Sequence, residues 1–81
     1  MVVVNISENF ENIHKKLDKS YKIRVEKIVE KIIDNPEIGK PMKNVRKGTR
    51  EVYLKPLRLS YSYSKEENTV TLLDIYHKDE Q

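Results

Sequence analysis

The sequence predicts an α+β fold: a strand, a two-helix hairpin, then a three-stranded antiparallel meander, with both helices packed on one face of the sheet. Three observations predict it. A β-branched run opens the chain, two stretches before Pro36 carry apolar residues at helical spacing, and the pattern switches to period two from Glu51 onward. With 81 residues there is room for one small core, so residues 1–81 are read as a single domain.

Met1-Val-Val-Val-Asn-Ile6 is nearly continuous β-branched sequence and reads as a short buried strand. Ser7 is placed to cap a helix whose first turn holds Glu8, and Phe10, Ile13 and Leu17 form its apolar stripe. A break follows between Asp18 and Ser20, either of which can cap a second helix. There Tyr21, Val25, Ile28, Val29 and Ile32 share one face, and Asn35-Pro36 ends the run because a residue before proline is pushed out of helical geometry. Gly39 to Gly48 reads as a basic loop punctuated by Pro41. Glu51 to Lys55 forms one strand and Pro56 a turn. Leu57 to Ser64 then alternates strictly, with Leu57, Leu59, Tyr61 and Tyr63 on one side and Arg58, Ser60, Ser62 and Ser64 on the other. Lys65 to Asn68 is a polar hairpin loop, and Thr69 to Tyr76, the most apolar of these strands, is expected inside the sheet.

Composition excludes several functions. The chain has no cysteine, which removes disulfides, zinc knuckles and thiol nucleophiles and suits a reducing, cytoplasmic setting. No apolar run approaches the roughly 20 residues of a membrane span, and Met1 to Ile6 is too short for a secretory leader. Its two glycines cannot make a phosphate-cradling glycine loop. Two isolated histidines do not make a metal site, so no metal or cofactor is expected.

The net charge of +3 is unevenly spread. Residues 36–65 carry eight basic side chains against Glu37 and Glu51, a candidate footprint for a polyanion. An ordinary solvated surface is the plainer account of the same block. The outward face of the Leu57–Ser64 strand offers the same choice between a ligand groove, suggested by its short serines and Arg58, and a merely solvated sheet face. His14 reads as structural or exposed. Tyr53, Tyr61 and Tyr63 read as sheet-packing residues, with Tyr76 open to stacking on a base.

Taken together, Asn35-Pro-Glu-Ile-Gly-Lys-Pro-Met42, Arg50-Glu-Val-Tyr-Leu54, Leu57-Arg-Leu-Ser-Tyr61 and Leu72-Leu-Asp-Ile-Tyr-His-Lys78 resemble the RelE/ParE superfamily, the toxin halves of type II toxin–antitoxin pairs. The resemblance covers nearly the whole chain and lies in the order and spacing of the four pieces. It implies one of two activities on one fold. RelE-type members are ribosome-dependent endonucleases that cut mRNA, and ParE-type members inhibit DNA gyrase without being nucleases. The first implies a toxin that inhibits translation, with ribosome and mRNA as partners. The gyrase inhibitor, or a basic RNA- or ribosome-binding module, is the alternative. Either toxin implies a cognate RelB-like antitoxin, acidic where it covers the basic groove and folding as it binds.

The resemblance also assigns residues. Arg58 fills the place of the arginine in the cleft of RelE-type toxins, and Lys78 that of a basic residue past the last strand, where arginine is commoner. Arg50 and Lys55 are the nearest matches to basic residues on the preceding strand. Glu51 and His77 correspond to a general base and its acid partner in some relatives. The C-terminal tyrosine usual in the family is missing here. Lys43, Arg46 and Lys47 are expected to contact phosphates, unless their loop is simply solvated.

RNA cleavage without a metal needs a 2′-hydroxyl deprotonated, a phosphorane dianion stabilised and a 5′-oxygen protonated. A carboxylate between arginines is a weak proton acceptor, which favours His77 for proton transfer. The expectation is therefore that Arg58, His77 and Lys78 converge on one phosphodiester, and that Arg58→Ala spares the fold.

Overall fold

The computed structural model describes residues 1–43 and 48–77. Its elements are strand β1 (Val3–Ile6), helices α1 (Glu8–Lys16) and α2 (Lys19–Asp34), then strands β2 (Lys40–Pro41), β3 (Thr49–Leu54), β4 (Leu57–Ser64) and β5 (Thr69–His77). One five-stranded sheet has the order β1-β5-β4-β3-β2, antiparallel except for the parallel β1–β5 pair. The expected meander is β3–β5, and β5 lies inside the sheet as its apolar sequence predicted.

Two expectations need correction. Part of the presumed basic loop is a strand: Lys40 and Pro41 pair with Glu51 and Arg50, and β2 closes one edge. Proline is tolerated there because an edge strand can spare an amide donor. The opening strand is not buried. β1 forms the opposite edge, and with the helices covering only one sheet face, Val3 is 57% exposed while Val4 packs against the core.

Caps set the helix boundaries. The Phe10 amide donates to Ser7 Oγ at 3.0 Å, and the Tyr21 amide to Asp18 Oδ1 at 3.0 Å, so Asp18 rather than Ser20 starts α2. Ser20 instead donates to the same Asp18 oxygen at 2.9 Å. The hydrogen bond from the Tyr21 amide, the larger cause, and that from Ser20 hold the Asp18 carboxyl below its ordinary range.

The apolar phase of β4 faces the helices. Leu57, Leu59 and Tyr61 are buried with Val70, Leu72 and Ile75 of β5, beneath Phe10 of α1 and Val25 and Ile32 of α2. Each such side chain contributes about 1.5–3 kcal/mol relative to exposure, so this one layer holds most of the stability. A bulge in β5 ties α1 to the sheet. Ser60 pairs with Asp74 and Tyr61 with Leu72, leaving Leu73 outside the register. The Leu73 carbonyl instead accepts from Ser7 Oγ at 3.0 Å and Asn9 Nδ2 at 3.2 Å. An extra strand residue thus satisfies its backbone with the helix N-terminus.

Candidate functional site on the open face of the sheet

The face without helices is organised by cross-strand pairing, because directly opposed residues project to the same side. β3, β4 and β5 align Glu51, Ser60 and Asp74 in one row and Tyr53, Arg58 and Tyr76 in the next. β2 adds Lys40 opposite Glu51. A carboxylate, a guanidinium, an ammonium and two phenols are thereby brought to one patch by the register alone.

At its centre Arg58 Nη1 donates to Glu51 Oε1 at 2.6 Å, with the Glu51 side chain 7% exposed and that of Arg58 26%. Among the described residues, neither Glu51 Oε2 nor Arg58 Nε, both buried, has a hydrogen-bond partner. Such groups are costly unless satisfied. A ligand that donates to the carboxylate and accepts from the guanidinium would satisfy both. The Arg58 guanidinium also lies 5.5 Å from the centre of the Tyr53 ring, a cation–π distance. An open groove of about 340 Å³ lies over this pair and the β2 edge, lined by Lys40, Pro41, Met42, Lys43, Glu51 and Arg58. A neighbouring groove shares Lys40, Glu51 and Arg58 and continues along Tyr53.

The residues singled out from the sequence divide between the two faces. Arg58 and Glu51 meet, and Lys43 is exposed at the groove edge. Lys55 is exposed in the turn after β3. His77 does not join them. It pairs with Leu57, so it projects to the helix side, where it lines a separate groove with Ile13 and Lys16 of α1 and Leu17, the C-cap of that helix; Asp74 and Tyr76 border this groove as well. Arg50 pairs with Tyr61 on that same side and donates to the Glu37 carbonyl at 3.1 Å and the Gly39 carbonyl at 2.8 Å. The physical reason is strand parity: Arg50 neighbours Glu51 and His77 neighbours Tyr76, and adjacent strand residues point to opposite faces. Arg46, Lys47 and Lys78 lie outside the described residues.

Ser60 is buried between Glu51 and Asp74 rather than lining a groove. Tyr53 is not a packing residue but is 50% exposed beside Arg58, while Tyr61 is in the core as expected. Sequence reasoning missed Lys40. Its phase relative to Glu51 becomes legible only once β2 is known to be a strand.

A sequence model described as the ParE toxin of type II toxin–antitoxin systems matches residues 5–81. Among solved structures, the chain is similar to a RelBE toxin–antitoxin complex from Mycobacterium tuberculosis, at 23% identity, TM-score 0.85, covering 95% of this chain and 98% of that one. It is also similar to the intact Escherichia coli RelBE complex, at 15% identity, TM-score 0.83, covering 98% and 99%. An archaeal RelE–RelB complex from Pyrococcus horikoshii matches at 16% identity, TM-score 0.77, covering 99% and 98%. At these identities the structural matches speak for the fold. No curated protein matches the chain by sequence.

Proposed function

Since the chain belongs to the ParE toxin family of type II toxin–antitoxin systems, we propose that it is a toxin that inhibits translation by cutting mRNA on the ribosome, using the open face of its sheet. The observation that carries this reading is the Tyr53–Arg58–Tyr76 row beside the buried Glu51 carboxylate. Tyrosines flanking an arginine suit a single strand, whose bases stack on the rings while its phosphate meets the guanidinium. Lys40 and Lys43 add positive charge along the groove.

The reaction follows from the pair at the centre. In the resting site Arg58 is held by Glu51. An incoming phosphodiester competes for that guanidinium, and the freed carboxylate then faces the adjacent ribose. Glu51 takes the 2′-hydroxyl proton, and the 2′-oxygen attacks phosphorus. Arg58 neutralises the charge that builds on the non-bridging oxygens. The bond from phosphorus to the 5′-oxygen breaks, and that oxygen takes a proton from water in the open groove. The products are a 2′,3′-cyclic phosphate and a 5′-hydroxyl. Glu51 returns its proton to water, and no metal enters the balance. His77, on the other side of the sheet, has no part in this scheme.

The partner chemistry is complementary. A cognate antitoxin that silences the toxin would lay acidic side chains against Lys40, Lys43 and Arg58, ordering as it binds. The second reading is a gyrase inhibitor without nuclease activity. It is favoured by one observation, the placement of His77 away from Arg58. Adding the protein to a translating extract and mapping mRNA 5′ ends distinguishes them. New 5′-hydroxyl ends that appear only with ribosomes present support the first reading. Intact mRNA with blocked supercoiling by gyrase rejects it for the second.

A further inference from the structure

Lys40 lies opposite Glu51 at the edge of the sheet, is exposed, and borders both grooves that contain Arg58. Glu51 largely cancels the charge of Arg58 at 2.6 Å, so the pair alone attracts an anion poorly. Lys40 restores the positive charge, and its place depends on residues of the opposite face. The Gly39 amide donates to Tyr61 Oη at 2.9 Å, and that hydroxyl donates to the Pro36 carbonyl at 2.8 Å. Arg50 grips the Glu37 and Gly39 carbonyls from the next strand. The fit is close: a Cβ on Gly39 would stand 2.7 Å from Tyr61 Oη and 3.1 Å from Arg50 Cβ. Four hydrogen bonds therefore fix residues 36–39 at the step where the chain enters β2.

We infer that Lys40 is a phosphate-binding residue of the open face, and that Tyr61 and Arg50 are positioning residues that hold it there through Gly39. This rests on the reading of that face as an RNA site. It assigns a function to an arginine and a tyrosine that cannot themselves reach the groove. It also accounts for a two-residue strand that adds little to the core.

The test is fluorescence anisotropy with a short labelled single-stranded RNA, repeated over a series of salt concentrations. Lys40→Ala should weaken binding about three- to tenfold and lower the slope of log affinity against log salt by about one. Lys40→Arg should restore both, and Lys31→Ala, on α2, should match the wild type. Tyr61→Phe and Arg50→Gln should each weaken binding in the wild-type background and have no further effect in the Lys40→Ala background. A merely structural role would give additive losses instead. Arg50→Gln serves on its own if Tyr61→Phe does not fold, because Arg50 lies outside the core. RNA binding by the wild type with an unchanged Lys40→Ala variant overturns this inference alone. Absence of binding by the wild type overturns the inference that Lys40 binds RNA phosphate by itself, while the mapping of mRNA ends with ribosomes present decides the RNA reading separately.

Discussion

Glu51 and Arg58 are joined at 2.6 Å on the sheet face the helices leave bare, and each retains a buried polar atom with no partner among the described residues. A pair built only for stability would satisfy those atoms, since burying two charges gains little unless every lone pair and proton is matched. The arrangement suits a contact that opens when another anion arrives. Substrate binding and activation of the carboxylate then become one event, because the phosphate that claims Arg58 is also what frees Glu51.

Arg58→Ala should lower cleavage about ten- to a thousandfold, from loss of charge stabilisation in the transition state. It should also weaken the fold, by about 1–3 kcal/mol, because Glu51 is left buried without its partner. The sequence alone suggested that this substitution would spare the fold; the buried carboxylate beneath it reverses that expectation. Adding Glu51→Gln should recover part of the lost stability and none of the activity. Urea unfolding of the single and double variants, read beside the cleavage rate, separates the two effects.

Removing the imidazole should do little. His77→Ala is expected to leave the cleavage rate unchanged, since its side chain and that of Arg58 lie on opposite faces. By contrast, Tyr53→Ala should weaken RNA binding about fivefold or more, the loss of one stacked base at ~1 kcal/mol. Tyr53→Phe should retain the affinity. A slow His77→Ala enzyme with a wild-type Tyr53→Ala partner would place the chemistry on the helix side of the sheet.

The alternation in Leu57–Ser64 made much of this legible. It placed Arg58 away from the helices and Tyr61 under them, and both assignments follow from period two alone. The same rule, applied to Arg50 and Glu51 or to Tyr76 and His77, separates each pair. Family correspondence drew them together because it tracks position along the chain rather than the face of the strand. Lys40 was hidden for another reason. A strand of two residues containing a proline carries no periodic signal, and its pairing is set by contacts from Tyr61 and Arg50 far along the sequence. The bulge at Leu73 is equally silent, since only the register with β4 reveals an extra residue.

Ser7 links that bulge to the helical layer. It accepts from the Phe10 amide and donates to the Leu73 carbonyl, both at 3.0 Å. Ser7→Ala removes an N-cap and leaves the carbonyl with Asn9 alone, so unfolding should become easier by about 1–2 kcal/mol. The urea midpoint should fall with an unchanged slope, because the surface exposed on unfolding stays the same. Ser7→Thr should recover most of the loss, as threonine can cap in the same way.

The hydroxyl of Tyr61 predicts how stability responds to alkali. Burial, the main cause, pushes this phenol above its ordinary value of 10.0, outweighing the Gly39 amide and the charge of Arg50, which act the other way. The folded protein therefore keeps a proton that the unfolded chain releases near pH 10. Above that point the unfolded state binds fewer protons, so Tyr61's contribution, intact at lower pH, declines until the folded phenol ionises too. Tyr61→Phe has no such proton. At neutral pH the wild type should be more stable than this variant, by about 1–2 kcal/mol for the two hydrogen bonds to Gly39 and Pro36. That margin should narrow as pH rises beyond 10, while the lysine titrations common to both proteins cancel in the difference. Unfolding free energies measured for both across the alkaline range provide the check. A margin that stayed constant would mean that Tyr61 ionises as readily inside the protein as in the unfolded chain, and that its hydroxyl is not the buried donor holding the entry to β2.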